Sequence, residues 1–147
     1  MNKKNIFVFS VAAIVVFLDQ LTKWIIRKNF SLNESLPVIK NIFHITYVTN
    51  TGSAFSLFQG MNAVFIIIFF AVIFGIVYSV KKIKNDEKPM QFAVGLLLGG
   101  AVGNLIDRLF LGHVTDFLDF RIWPVFNVAD SAISVSVVLL VILLWKK

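Results

Sequence analysis

Cysteine is absent from the 147 residues, which excludes disulfides, a thiol nucleophile and any thiolate-ligated metal. Histidine is scarce: His44 and His113 stand far apart, and no H-E-x-x-H motif occurs, so a zinc peptidase of that kind is excluded as well. Acids are few, eight against fourteen Lys and Arg, which leaves a net charge of +6. That surplus does not point to nucleic acid, because the basic residues gather at the ends of apolar runs, where they set topology in a bilayer. What is abundant is apolar. Hydrophobic residues make up 58% of the chain, sixteen of them Phe, and mean hydropathy is +0.84; a soluble domain is roughly 45–50% apolar. Composition predicts a membrane protein with a single domain, residues 1–147.

Four segments reach the 20 or so apolar residues that a spanning helix needs, 6–26, 63–80, 90–111 and 128–145. The first starts like a signal peptide, with Lys3 and Lys4 before an apolar centre. Its helical pattern runs on to Ile26 without a small-x-small cleavage pattern, so it is read as a retained span. Eight basic residues fall in the two tails and the 81–88 loop, whereas six are spread over two longer connections. The positive-inside rule then predicts that both termini are cytoplasmic. In the outer connection, residues 44–49 alternate polar with β-branched and aromatic residues, as a half-buried strand does. Asn50-Thr51-Gly52 turns the chain and 53–58 is expected to run back. The expected fold is an all-α multi-pass membrane protein, four transmembrane helices with a small β-sheet region, about 28–60, on the outer surface.

The stretch 99–131 holds Asp107, Asp116, Asp119 and Asp130, half of all the acids, between two spans. A carboxylate at the centre of a membrane helix costs about 2.5–3.5 kcal/mol, so acids in such a place are a functional hypothesis by default. At 1.5 Å per residue, Asp19 lies about 20 Å up the first span and Asp107 about 26 Å up the third, while Asp130 opens the fourth. Three acids on three helices converge near the outer leaflet, next to the loop that carries Asp116 and Asp119. In the third span Gly95, Gly99 and Gly103 recur at the small-x-x-x-small spacing that lets helices approach closely. Gly100, Asn104 and Asp107 (or Arg108) line the adjoining stripe.

Asp130 stands three residues after Asn127 at a helix start. One reading is a cap, with Asn127 at the N-cap and Asp130 accepting N–H bonds at N3; the other is catalysis, and the two are compatible. Asp116, in V-T-D-F-L-D-F, is either a solvated loop charge or the partner of Asp130. Two carboxylates a few ångströms apart share one proton and titrate as a unit; the ionised member can take a proton from water while the other polarises a scissile carbonyl. Asp119, two residues before Arg121, is read as a solvated loop charge. Asp19 and Lys23, at i and i+4, are read as a mutually neutralising pair. A four-span transporter using the acids as a proton relay is the rival reading. It does not account for acids gathered near one face.

Five blocks, D-Q-L-T-K at 19–23, N-T-G-S-A-F at 50–55, G-G-A-V-G-N-L-I-D-R at 99–108, V-T-D-F at 114–117 and F-N-V-A-D-S at 126–131, together resemble the lipoprotein signal peptidases (signal peptidase II) of bacteria. They occur in the family's order across essentially the whole chain; Ser53, where the family often has Ala, is a small departure. The resemblance implies an aspartyl endopeptidase of the bacterial cytoplasmic membrane, active near the outer leaflet. Its implied task is to remove signal peptides from diacylglyceryl-modified prolipoproteins, cutting before the lipidated cysteine. It implies Asp116 and Asp130 as catalytic, and Asn50, Gly52, Asn104, Arg108 and Asn127 as substrate-binding. Asp19, Lys23 and Asp107 are expected to support them. No metal or other cofactor is expected, the partners are the prolipoprotein and membrane lipid, and the chain is expected to act as a monomer.

Overall fold

The computed structural model describes residues 2–52 and 60–145. Four helices, α1 (Lys3–Asn29), α2 (Asn62–Val80), α3 (Lys88–Leu111) and α4 (Val128–Trp145), are each long and apolar enough to cross a membrane. Strands β1 (Ser35–Ile39), β2 (Phe43–Asn50) and β3 (Val114–Asp119) form an antiparallel sheet in the order β1-β2-β3. The expected four-helix membrane fold with a small sheet is thus what the chain adopts. The helices overrun the apolar windows at their charged ends: α1 begins at Lys3 and continues through Arg27 and Lys28.

Helix α3 is the hub, with α1, α2 and α4 all packed on it. Helix α1 meets it along one stripe, Lys4, Val8, Ala12, Val15, Asp19, Lys23 and Ile26, a spacing of three or four that keeps one face inward. The α3 glycines face that stripe. A Cβ on Gly95 would lie 2.7 Å from the Val11 Cβ, and one on Gly99 would lie 2.6 Å from the Val15 Cβ and 2.8 Å from the Ala12 carbonyl oxygen. Gly100 turns instead toward α4, where a Cβ would meet the Ala129 carbonyl oxygen at 2.5 Å. The glycines therefore let α3 lie backbone to backbone against two neighbours at once.

At the end away from the sheet, the buried Lys4 ammonium donates to the Ile83 carbonyl at 2.7 Å and to that of Lys81 at 3.4 Å. The fully buried Gln91 side chain donates to the carbonyls of Lys84 and Asn85. These bonds satisfy carbonyls of the connection between α2 and α3. At the sheet end α3 stops at Gly112, whose φ of +77° glycine adopts without strain, and β3 begins two residues later. This short connection seats β3 beside the sheet-side turns of α1 and α3.

Strand β2 covers the expected 44–49, but it is half-buried at every residue rather than buried on one face and exposed on the other. Its neighbours are β1 and β3. The return segment expected at 53–58 lies outside the described residues. Asp119 departs from its expectation: it is 5% exposed and accepts hydrogen bonds from the Thr46 hydroxyl (2.8 Å), the Arg121 N–H (2.9 Å) and the Arg121 guanidinium (3.0 Å). Burial alone would push this carboxyl up, but the bonds from Thr46 and Arg121 outweigh it and hold it below its ordinary range. Thr46 reaches it across the sheet, a contact that a local pattern cannot reveal.

Candidate active site

A cavity of about 1000 Å³ opens between the sheet and the sheet-side turns of α2, α3 and α4. Asp116 from β3 and Asp130 from α4 both line it, with Asn50, Gly52, Asn104 and Arg108. Asp116 is 2% exposed.

Each acid is placed by its own local structure. Asp130 lies in the first turn of α4, where the Asn127 side chain accepts from the Asp130 N–H at 2.8 Å and Asp130 accepts from the Asn127 N–H at 3.3 Å. This reciprocal cap fixes the Asp130 backbone and presents its carboxylate to the positive end of the helix dipole. Asp116 pairs with Val48 across the sheet. It accepts one bond from the Asn50 side chain at 3.1 Å and another from that of Asn127 at 2.7 Å. Burial, first, and then the charge of Asp130 push the Asp116 carboxyl up to about 7 against the pull of Asn50, Asn127 and Lys23.

Asn104 and Asn127 join the two acids. Asn104 donates to Asp130 at 2.7 Å, and Asn127, which donates to Asp116, also donates to the Asn104 carbonyl oxygen at 3.1 Å. Behind them is a charged layer larger than the expected Asp19–Lys23 pair. Lys23 and Asp19 are both 0% exposed; the ammonium lies 2.8 Å from Asp19, 3.4 Å from Asp107 and 2.9 Å from the Asn104 carbonyl oxygen. The other Asp19 oxygen accepts from the Ala129 N–H at 3.0 Å, tying α1 to the start of α4. Asp107 accepts from the Thr115 N–H at 2.9 Å and so anchors β3, with the Arg27 guanidinium 3.7 Å away.

Arg108, adjacent in sequence to Asp107, points elsewhere, as neighbours on a helix must. Its guanidinium donates to the carbonyls of Thr51 and Gly52 and to the Asn62 side chain, and it stacks 4.4 Å over the Phe65 ring. Gly52 in turn donates its N–H to the Asn50 side chain at 2.9 Å, so the 50–52 turn is held from both sides. Every residue expected at the site is therefore in one connected cluster. Four others were not expected there: Thr115, fully buried between Asp107 and Asn127; Gln20, which donates to Asp19 and Asp107; Asn62; and Phe65. Gln20 sits inside the D-Q-L-T-K block and Thr115 inside V-T-D-F, the local signals among them. Among the described residues no three His, Cys, Asp or Glu side chains are placed to hold a metal ion.

Comparison with known proteins follows the same outline. Residues 11–146 match the family described as Signal peptidase (SPase) II. A lipoprotein signal peptidase of Halothermothrix orenii is 44% identical over 95% of this chain and 96% of its own. That of Desulfitobacterium hafniense is 52% identical over 89% and 87%, and that of Bacillus subtilis 41% identical over 91% and 90%. A solved structure described as a bacterial membrane enzyme superimposes with a TM-score of 0.88 at 37% identity, over 95% of this chain and 87% of that one. A second of the same description gives 0.85 at 37% identity, over 95% and 93%.

Proposed function

The chain belongs to the signal peptidase II family, an aspartic-type membrane endopeptidase that removes signal peptides from prolipoproteins, and from that premise we propose how its residues do so. The observation that carries the reading is a pair of carboxylates, Asp116 and Asp130, that face one cavity and are bridged by Asn127 and Asn104. The pair holds one proton. The two carboxyls titrate as a unit; in the productive form Asp116, with its carboxyl up at about 7, carries the proton and Asp130, beside the N-terminus of α4, is ionised.

Asp130 takes a proton from water as the water oxygen attacks the scissile carbonyl carbon, and Asp116 gives its proton to the carbonyl oxygen. The resulting gem-diol collapses when Asp130 returns its proton to the peptide nitrogen and the C–N bond breaks. Asp116 then recovers a proton from one diol hydroxyl. The products are a carboxylic acid and an amine, and the dyad regains its single proton.

Asn50 and Asn127 hold Asp116, Asn104 holds Asp130, and Arg108 with Gly52 shapes the rim that receives the substrate backbone. The signal helix lies in the lateral opening between α2 and α4, against Phe65, Phe69 and Ile133. The acyl chains of the diacylglyceryl group extend into lipid, and the cut falls before the lipidated cysteine. Lys3, Lys4, Lys81, Lys82, Lys84 and Lys88 gather at the end away from the sheet, which supports cytoplasmic termini and a site near the outer leaflet. All of these groups come from one chain, and the monomer is the working unit.

The test is cleavage of a diacylglyceryl-modified prolipoprotein in liposomes. Asp116→Asn and Asp130→Asn should each lower turnover by at least the roughly 10²–10⁴-fold contributed by a positioned acid or base. A folded variant with near-parental turnover overturns the dyad. Mass spectrometry of the product should find the lipidated cysteine as its new N-terminus, and any other terminus overturns the assigned bond.

A further inference from the structure

Lys23 is a fully buried ammonium on a membrane helix and is not among the residues that line the cavity. Neutralising Asp19 would account for one of its three N–H bonds. The other two face Asp107 at 3.4 Å and the Asn104 carbonyl oxygen at 2.9 Å. The last of these contacts is with a neutral group that leads toward both acids.

A carboxamide can be turned either way, and its partners decide which. The Asn104 oxygen accepts from Lys23 and from the Asn127 NH₂ at 3.1 Å, while its NH₂ donates to Asp130 at 2.7 Å. Turned around, Asn104 would set its NH₂ against an ammonium and another NH₂, and its oxygen against a carboxylate. An ammonium carries donors only, so no rearrangement of Lys23 relieves that conflict. We propose that Lys23 is a positioning residue for the peptidase reaction: it fixes the orientation of the Asn104 carboxamide, which in turn holds Asp130 in register with Asp116. The proposal rests on the dyad reading. The charged groups around this path are Asp19, Lys23 and Arg27 on α1, Asp107 and Arg108 on α3, Asp116 on β3 and Asp130 on α4.

Lys23 also acts on the dyad by its charge, because it lowers the Asp116 carboxyl. Losing it raises that carboxyl, whereas a site merely loosened toward water would lower it by relieving burial. The two outcomes move the alkaline limb of the pH–rate profile in opposite directions.

The experiment measures kcat, KM and the pH profile for Lys23→Met, Asn104→Leu and the two together, each in liposomes with the same diacylglyceryl-modified prolipoprotein. Lys23→Met should lower kcat by about 10²-fold, the scale of a small misplacement of reacting groups, with KM little changed and the alkaline limb moved to higher pH. In the Asn104→Leu background, Lys23→Met should change kcat by no more than about twofold, since the path is already cut. Losses that multiply, or a limb that stays or moves to lower pH, overturn the proposal. Should Lys23→Met not be recovered folded, Asp19→Asn with Lys23→Met removes the closest charge pair together and is read by the same criteria. Failure of the dyad is seen separately, as turnover retained by Asp116→Asn. A dead Asp116→Asn beside a Lys23→Met with parental kcat removes only the role of Lys23.

Discussion

Gly99→Ala against Gly75→Ala is a matched pair that isolates the close approach of α1 and α3. Both glycines are inside helices, and Ala is favoured over Gly there by about 0.8–1 kcal/mol. At Gly75 the new methyl meets nothing within 4 Å, so that preference is all that changes. At Gly99 it would lie 2.6 Å from the Val15 Cβ, 2.8 Å from the Ala12 carbonyl oxygen and 3.0 Å from the Ala12 Cα. Two of these atoms are backbone and the third is fixed to it, so no rotamer relieves the overlap. The helices must separate by something near 1 Å, and overpacking of this kind costs about 1–3 kcal/mol, with rigid neighbours favouring the upper end. Set against the helix preference, Gly99→Ala should lose about 2 kcal/mol, or roughly 4–8 °C in Tm for a chain of this size. Gly75→Ala should rise by about 2–4 °C on the same scale. Thermal unfolding in detergent, followed by the fluorescence of Trp24, Trp123 and Trp145, reads both. Equal shifts of one sign would refute the backbone contact as the source of the difference.

The raised carboxyl of Asp116 makes stability depend on pH in a definite direction. The folded state holds this proton up to about 7, against an ordinary 3.8, so its contribution is complete below about 4 and is lost as pH rises through about 7. Asp116→Asn should therefore be more stable than the parent at pH 8, by something on the order of a few kcal/mol, and unfolding midpoints at pH 5 and pH 8 check it. Turnover of the parent should fall above about pH 7 as the shared proton is lost; a rate rising steadily through pH 8 would contradict it. Thr46→Val removes one bond to the buried Asp119 and should cost about 1–3 kcal/mol, read as a lowered Tm. Gly103→Ala would place a methyl 2.6 Å from the Asp19 carboxylate and displace it from the Ala129 N–H; kcat should fall by up to about 10²-fold and KM by much less.

The four spans were legible because apolar length is a local property, and their ends were blurred for the same reason. Lys3, Lys4, Arg27 and Lys28 lie outside any apolar window yet stay helical, since a helix does not stop where hydropathy does. Strand β2 could be read from its alternation. Strand β1 could not, because Ser35-Leu36-Pro37-Val38-Ile39 is exposed throughout and carries a proline, so it has no buried period to detect. The cap of α4 was legible in the three-residue spacing of Asn127 and Asp130. The Lys23 contact with Asn104 spans 81 residues and was not: i and i+4 showed Asp19, the partner on the same helix, and hid the others. Asp119 was misjudged on the same grounds, with Arg121 visible from two residues away and Thr46 visible only once the sheet is formed.

The bond between Asp19 and the Ala129 N–H joins positions 110 residues apart. A chain made from its N-terminus forms the Lys23, Asp19 and Asp107 cluster once α3 arrives, but Asp19 keeps an unsatisfied oxygen and Asn104 an unsatisfied NH₂ until α4 enters. Asp130, one acid of the proposed dyad, and the groups that complete the charged layer therefore arrive together, when α4 is made. Before α4 enters, the protein cannot settle its buried polar groups, and on the proposed dyad it cannot cut a neighbouring chain either, so competence to hydrolyse and completion of this polar layer coincide in time.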